Sequence, residues 1–358
     1  DKEILWQDCV ANYLTYIDES KYESWPWRSK VCDTASQEIA DTISSAIQNA
    51  LFPNNEDYFK IEGVDEIGHK YAKQMEKYLY KQITKSNFTE KVRPFIKQIS
   101  VIGNSAALLP WVNTRKPKKR RVKDDSGIVK VKKTSKLIYD NFSFETLDAL
   151  DVVFEPYKLY DSGSLCVYRT YKSFDALSRL PDSMIDKGEL SFVESEHKAG
   201  TNTRADVTDK AERSQIYGIN FDPSTDDVEV YIAHGDFEFG GELYEDYVAW
   251  VIGGRLVRFE ENPYWAGKPV IWGTYDELWF SPYGRGPIEP ILGIQELINT
   301  FTNQKADILN LIIMGAFAYV NDGIIDPDDL FLRPGGGIEV GDINNIKPLQ
   351  PNTNVALT

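Results

Sequence analysis

The stretch that most constrains this chain is residues 282–314. Pro282-Tyr-Gly-Arg-Gly-Pro287 runs directly into Ile288-Glu-Pro-Ile-Leu-Gly-Ile-Gln-Glu-Leu-Ile-Asn299 and on to Met314. Glycine and proline at this density make a tight turn, and the turn releases one long helix. Pro287 and Pro290 are expected in its first turn, where a missing N–H costs little. Ile291, Ile294, Ile298, Phe301, Ile308 and Ile312 then recur at helical spacing and predict an apolar face. The other face carries Glu296, Asn299, Thr300, Asn303, Asp307 and Asn310. At 1.5 Å per residue, Ile288–Met314 would span about 40 Å. Such a helix either buries its apolar face in its own domain or presents it to another chain, and the stretch alone leaves both open.

The rest of the chain narrows the setting. Its 358 residues suit two to three domains, and 42% hydrophobic with 27% charged residues is a globular composition. No run of 18 apolar residues occurs, so no membrane partner is expected. Cys9, Cys32 and Cys166 are odd in number and widely spaced, which favours free buried thiols over a disulfide scaffold or zinc site. The net charge of −15 opposes a protein whose job is to grip nucleic acid, because phosphate neutralisation drives such binding. It does not oppose one that lets a duplex pass.

Taken in order, residues 1–110 read as helical. Segments are expected at Ile4–Ile17, after a cap at Asp33 or Thr34, over Val64–Ile83, and from Asn87 or Thr89 to Leu109. Residues 111–137 form a basic hairpin around Asp125-Ser-Gly127, with Lys118, Lys119, Arg120, Arg121, Lys130, Lys132 and Lys133 in its strands. It is either a solvated hairpin or a surface that meets phosphate or an acidic partner. Residues 138–280 read as short strands and turns, with a polar loop at 181–215. Beyond the helix, 315–358 read as the start of a small α/β unit. Asn352–Thr358 brings no closing element, so the chain is expected to continue. The class expected is α+β, in several domains.

Catalytic signatures are missing from the sequence. There is no G-x-x-x-x-G-K-[ST], no G-x-G-x-x-G and no G-x-S-x-G. His69, His197 and His234 lie far apart. Asp226-Asp227, Asp326, Asp328 and Asp329 are better explained as turn formers than as cation ligands. The Gly335–Gly337 run reads as a turn before a strand. No enzyme activity and no cofactor are expected. A hydrolase using paired carboxylates remains the alternative, since Asp, Glu and Trp are plentiful.

The order of features resembles a tailed-bacteriophage portal protein (head-to-tail connector) of the short-tailed type. Ser86-Asn-Phe88 and a helix ending in Val101-Ile-Gly-Asn-Ser-Ala-Ala-Leu-Leu109 are similar to that family's helix-then-glycine entry into a strand. Phe144–Pro156 is similar to its segment ending in an acidic residue and proline. Val228–His234, Arg255–Phe259 and Glu261-Asn-Pro263 resemble its strand meander. Trp279–Gln295 with Leu297-Ile-Asn299 matches most specifically, and Arg333-Pro-Gly-Gly-Gly337 resembles the glycine loop beyond. The resemblance covers about residues 60–345; the basic hairpin and the 181–215 loop do not map onto it.

The resemblance implies a homo-oligomeric ring, of twelve subunits in the family, at one capsid vertex of the virion, assembled in the host cytoplasm. It implies double-stranded DNA passing through the channel during packaging and ejection. The implied partners are the terminase motor, a head–tail adaptor or tail proteins, and the major capsid and scaffolding proteins. Residues 1–280 would be the wing. Residues 281–314 would be the turn and stem helix, with Gly284, Gly286 and Pro287 as the wing–stem pivot. The polar helix face would line the channel or meet a neighbouring subunit, and residues 315–358 would begin the clip. Another virion head–tail interaction protein is the neighbouring reading.

Overall fold

The structure, a computed structural model, describes residues 2–17, 28–53, 59–123, 129–155, 165–182, 184–198, 216–217, 227–264, 267–314, 316–319 and 346–349. The class is α+β, with antiparallel sheets. By compactness the chain divides into two units: Asp1–Leu14 with Gln37–Pro290, and Thr15–Ser36 with Ile291–Thr358.

The first unit opens with helices α1 (Lys2–Tyr13), α2 (Ala35–Leu51), α3 (Glu66–Lys85) and α4 (Phe88–Ile102). Asp33 prepares the start of α2, its carboxylate accepting from Ala35 N at 2.9 Å. The fourth helix ends earlier than its apolar pattern suggests. Gly103 adopts φ +75°, its N–H returns to Ile99 O at 2.9 Å, and Asn104–Leu108 become strand β1 instead of a last helical turn. The helix-then-glycine-then-strand order expected from the resemblance is therefore present.

Strands β2 (Trp111–Lys123) and β3 (Val129–Phe142) form a long two-stranded ribbon. Short strands β4 (Glu145–Leu147) and β5 (Val152–Phe154) follow, then β6 (Cys166–Ser173). Ser173 caps helix α5 (Phe174–Ser178), its hydroxyl accepting from Ala176 N at 3.3 Å. The polar stretch expected as a loop contains helix α6 (Lys187–Lys198), which buries Leu190 and Val193; residues 199–215 lie outside the described residues. Two buried positions in twelve give too short a stripe to stand out by periodicity.

Strands β7 (Asp227–Phe239), β8 (Glu242–Ile252) and β9 (Arg255–Glu261) complete a five-stranded antiparallel sheet in the order β5-β6-β7-β8-β9. The strand β10 (Val270–Thr274) pairs with β1, which also pairs with β4. Alternation along β7 buries Val228, Val230 and Ile232. These pack with Phe154, Tyr168, Val248, Ile252 and Val257, and with Leu177, Leu190 and Val193 of α5 and α6. A second cluster gathers Val92, Ile96, Ala107 and Phe144.

The second unit contains α7 (Leu292–Met314), the antiparallel pair β11 (Ala316–Tyr319) and β12 (Ile346–Leu349), and residues 28–34. The long helix starts later than expected. Pro290 belongs to a 3-10 turn, Glu289–Ile291, that precedes it. The β12 strand was not expected from sequence. The Asp125-Ser-Gly127 turn, Asp226, the Asp326, Asp328 and Asp329 cluster and the Gly335–Gly337 loop lie outside the described residues. Among the described residues, no helix is long and apolar enough to cross a membrane.

One buried group sets a pH dependence. His234 on β7 is 1% exposed, and its ring stacks on Tyr168 with centroids 5.8 Å apart. Neither ring nitrogen meets a hydrogen-bond partner among the described residues. Burial, reinforced by Arg258 and Lys268 and partly opposed by Asp246, lowers its pKa to about 4. Unfolded, the same imidazole titrates near 6.5. On acidification the unfolded chain takes this proton first, so stability is lost between pH 6.5 and 4, by at most about 3 kcal/mol. Urea unfolding at pH 7 and pH 4.5 should show that loss, and His234→Phe should shrink it. An equal loss in both proteins would assign acid sensitivity elsewhere.

Candidate functional site

Two constructions distinguish this molecule. The first is a joint, within the first unit, where the start of β1 crosses residues 283–287. A Cβ built on Gly286 would lie 2.8 Å from Ile102 C and 3.0 Å from Gly103 N. One built on Gly103 would lie 2.4 Å from Gly286 Cα and N. Backbone touches backbone here, so the glycines serve close approach. Only Gly103 of these also needs a positive φ.

Asn104, fully buried, seals the crossing. Its Oδ1 accepts from Gly284 N at 2.7 Å, while its Nδ2 donates to Gly284 O and Ile102 O, both at 3.1 Å. Arg285 N donates to Asp276 O at 2.8 Å, and Tyr275 N to Gly103 O at 2.9 Å. The Glu289 carboxylate accepts from Gly286 N at 3.2 Å and from Lys2 Nζ of α1 at 3.2 Å. An aromatic wall backs the turn. Tyr283 meets Trp6, Phe154 and Trp272, and its hydroxyl accepts from Phe154 N at 3.0 Å. The expected pivot residues Gly284 and Gly286 thus sit in a clamped joint, and Pro287 follows with Ile288 fully buried.

The second construction belongs to the second unit. Gln295, Asn299, Asn303 and Asp307 stand at spacing four along α7 and hold the backbone of residues 29–33. Asp307 accepts from Ser29 N at 2.6 Å. Asn303 accepts from Val31 N at 2.8 Å and donates to Val31 O at 3.0 Å. Asn299 accepts from Asp33 N at 2.9 Å, and Gln295 donates to Asp33 O at 2.9 Å. Four helical residues rise about 6 Å. Two extended residues advance about 6.6 Å. That near-match lets every fourth helix position meet every second residue of the segment, which runs antiparallel to the helix.

The consequence is an inverted helix. Gln295 is 3% exposed, whereas Ile294 is 59%, Phe301 55% and Leu309 55% exposed. Leu297, Ile298 and Ile312 are exposed as well. Of the six polar positions read from sequence, Asn299, Asn303 and Asp307 engage the chain's own segment, while Glu296, Thr300 and Asn310 are exposed. Sequence reading passed over Asn104, Gln295, Lys2 and Glu289. The signal for Gln295 was present, since it completes the spacing-four amide row.

The basic positions Lys118, Lys119, Arg120, Arg121, Lys130, Lys132 and Lys133 all fall in the paired part of β2 and β3. Cys9 and Cys166 are buried, and burial pushes both thiols up to about 12, which keeps them protonated and unreactive. Among the described residues, no group of three or more His, Cys, Asp and Glu is placed to hold a metal. No protein-family model matches this chain, and no curated protein matches it significantly in sequence.

Joint and ladder make separate predictions. Gly286→Ala should cost about 1–3 kcal/mol in denaturant unfolding, because backbone atoms cannot step aside. Gly293→Ala in α7, with nothing within 4 Å, should instead stabilise by up to about 1 kcal/mol. Equal effects would mean that close approach is not what Gly286 provides. In the ladder, Asn303→Ala removes both bonds to Val31. Hydrogen exchange at Ser29, Val31 and Asp33 should accelerate at least tenfold, and unchanged protection would show that the segment is held by something else.

Proposed function

We propose that this chain is the subunit of a portal-type ring that conducts double-stranded DNA, a structural and non-catalytic role. The observation that carries the reading is the inverted α7. Its amide face is occupied by the chain's own segment, while Ile294, Leu297, Ile298, Phe301, Leu309 and Ile312 on the other side are exposed. An apolar stripe on a helix that is already satisfied on its polar side calls for another protein surface.

A second copy is the economical partner. Heterologous contacts between identical chains close into a ring when the rotation per subunit divides the circle. The resemblance carried by Tyr283-Gly-Arg-Gly286 and the following Ile-Gln and Leu-Ile-Asn pattern names that ring as a portal. Twelve copies, a packaging motor, tail proteins, capsid and scaffold belong to this reading. The acidic balance supports it, because a negative wall keeps contacts with phosphate weak.

Class averages of the purified protein by negative-stain microscopy should show a cyclic assembly with a central hole. Ile298→Asp with Phe301→Asp should abolish it and leave a folded monomer by sedimentation and circular dichroism. A wild-type protein that stays monomeric at high concentration would overturn the proposal. A ring with a subunit number or channel too narrow for a duplex would favour a head–tail adaptor instead.

A further inference from the structure

The ribbon of β2 and β3 is unexplained by the ring. Among the described residues it forms a two-stranded sheet of its own. Its register is continuous from Lys116 opposite Lys136 to Lys123 opposite Val129. Seven residue steps at about 3.3 Å give a paired tip about 23 Å long. Ten of its sixteen paired positions are Lys or Arg.

Register decides which of these share a face, since directly opposed residues and every second residue along a strand lie on the same side. One face then holds the positions of Lys116, Lys118, Arg120, Lys130, Lys132 and Lys136. The other holds those of Lys119, Arg121, Lys123 and Lys133. A ribbon lying on its own protein would keep one face apolar. A ribbon docked on an acidic protein surface would need charge on one face only. Protecting exposed strand edges takes an occasional Lys or Pro, such as Pro117, and not a majority of positions.

We infer that this ribbon is a binding element for B-form duplex DNA, seated in the major groove. That groove is about 12 Å wide, admits a two-stranded ribbon, and presents a row of phosphates on each side. Both basic faces then meet negative charge. The tip fits duplex better than single strands, because residues 115–136 contain no aromatic side chain on which an unpaired base could stack. The deep, narrow major groove of A-form RNA does not admit it. Register and charge carry this inference, and it stands whether or not the protein forms a ring.

The test measures fluorescence anisotropy of a labelled 30-bp DNA duplex against the wild-type protein from 50 to 200 mM NaCl. One variant neutralises the first face (Lys118→Gln, Arg120→Gln, Lys132→Gln) and another the second (Lys119→Gln, Arg121→Gln, Lys133→Gln). Each should weaken binding at least tenfold at 100 mM salt and lower the log–log salt slope by about 2–3, as loss of three phosphate contacts requires. A charge-retaining variant (Lys118→Arg, Lys119→Arg, Lys132→Arg, Lys133→Arg) should bind like wild type, and an RNA duplex should bind more weakly than DNA. The inference fails if wild type does not bind at 50 mM salt, or if only one face matters. It also fails if the neutralised variants keep DNA binding but lose self-association in sedimentation, which would assign the ribbon to another copy's acidic surface. Microscopy of the same variants reads ring formation separately, so either proposal can fall alone.

Discussion

Contact between two stretches of bare backbone, at Gly103 and Gly286, fixes the centre of the first unit. Around that crossing the chain changes character in both directions. Upstream, α4 ends because Gly103 turns left-handed, and β1 begins. Downstream, the turn enters the 3-10 segment that precedes α7. Asn104 satisfies both the N–H and the C=O of Gly284 in a place where water is excluded. An unpaired buried amide costs about 1–3 kcal/mol, so this one side chain covers two such costs. Lys2 and Glu289 tie α1 to the same turn. Within the first unit the turn is held by backbone and side-chain contacts on several sides, so its glycines serve close approach.

The inverted helix follows a different economy. Each hydrogen bond of the amide ladder contributes about 1 kcal/mol net. Each large apolar side chain left half in water forgoes roughly 1 kcal/mol of the 1.5–3 available on full burial. Six such side chains line the open face of α7. Ladder and stripe are therefore comparable in size and point to opposite sides of one helix. Side-chain amides hold a segment by its backbone, without reading its sequence, and leave the apolar face for contacts that must be specific. Cys32, which accepts from Asn299 Nδ2 at 3.5 Å, sits in the ladder as a spectator with its thiol pKa raised by burial.

How much of this was legible in the sequence depends on whether the determining partner is near or far along the chain. The α2 start at Asp33 is local, and its signal is local. The ribbon was legible for the same reason, its two strands being separated by only five residues in sequence. The joint was half legible: two glycines announced a tight passage, but Asn104 lies 180 residues from the peptide it holds. The ladder was invisible as such. Polar residues at spacing four look like a solvated face, and only the fold shows that residues 29–33 cover them. The α4 boundary was misjudged because Ser105-Ala-Ala-Leu108 reads equally well as helix, until Gly103 and the pairing with β10 decide it.

Charge segregation gives the last link between structure and role. An acidic chain that handles DNA must keep most of its surface from trapping the duplex. At physiological salt the screening length is about 8 Å, so negative side chains discourage only phosphates that come close. Eleven Lys and Arg concentrated in residues 115–136, against two Asp, invert that rule over one short stretch and nowhere else so densely. Two strands with no sheet neighbour among the described residues bring little surface of their own, so binding there adds few contacts beyond the phosphates themselves. Such an attachment is strong at low salt, weak at high salt and indifferent to sequence. On the proposed reading, a ribbon with those properties would hold a duplex without fixing its register, which suits DNA that must later move.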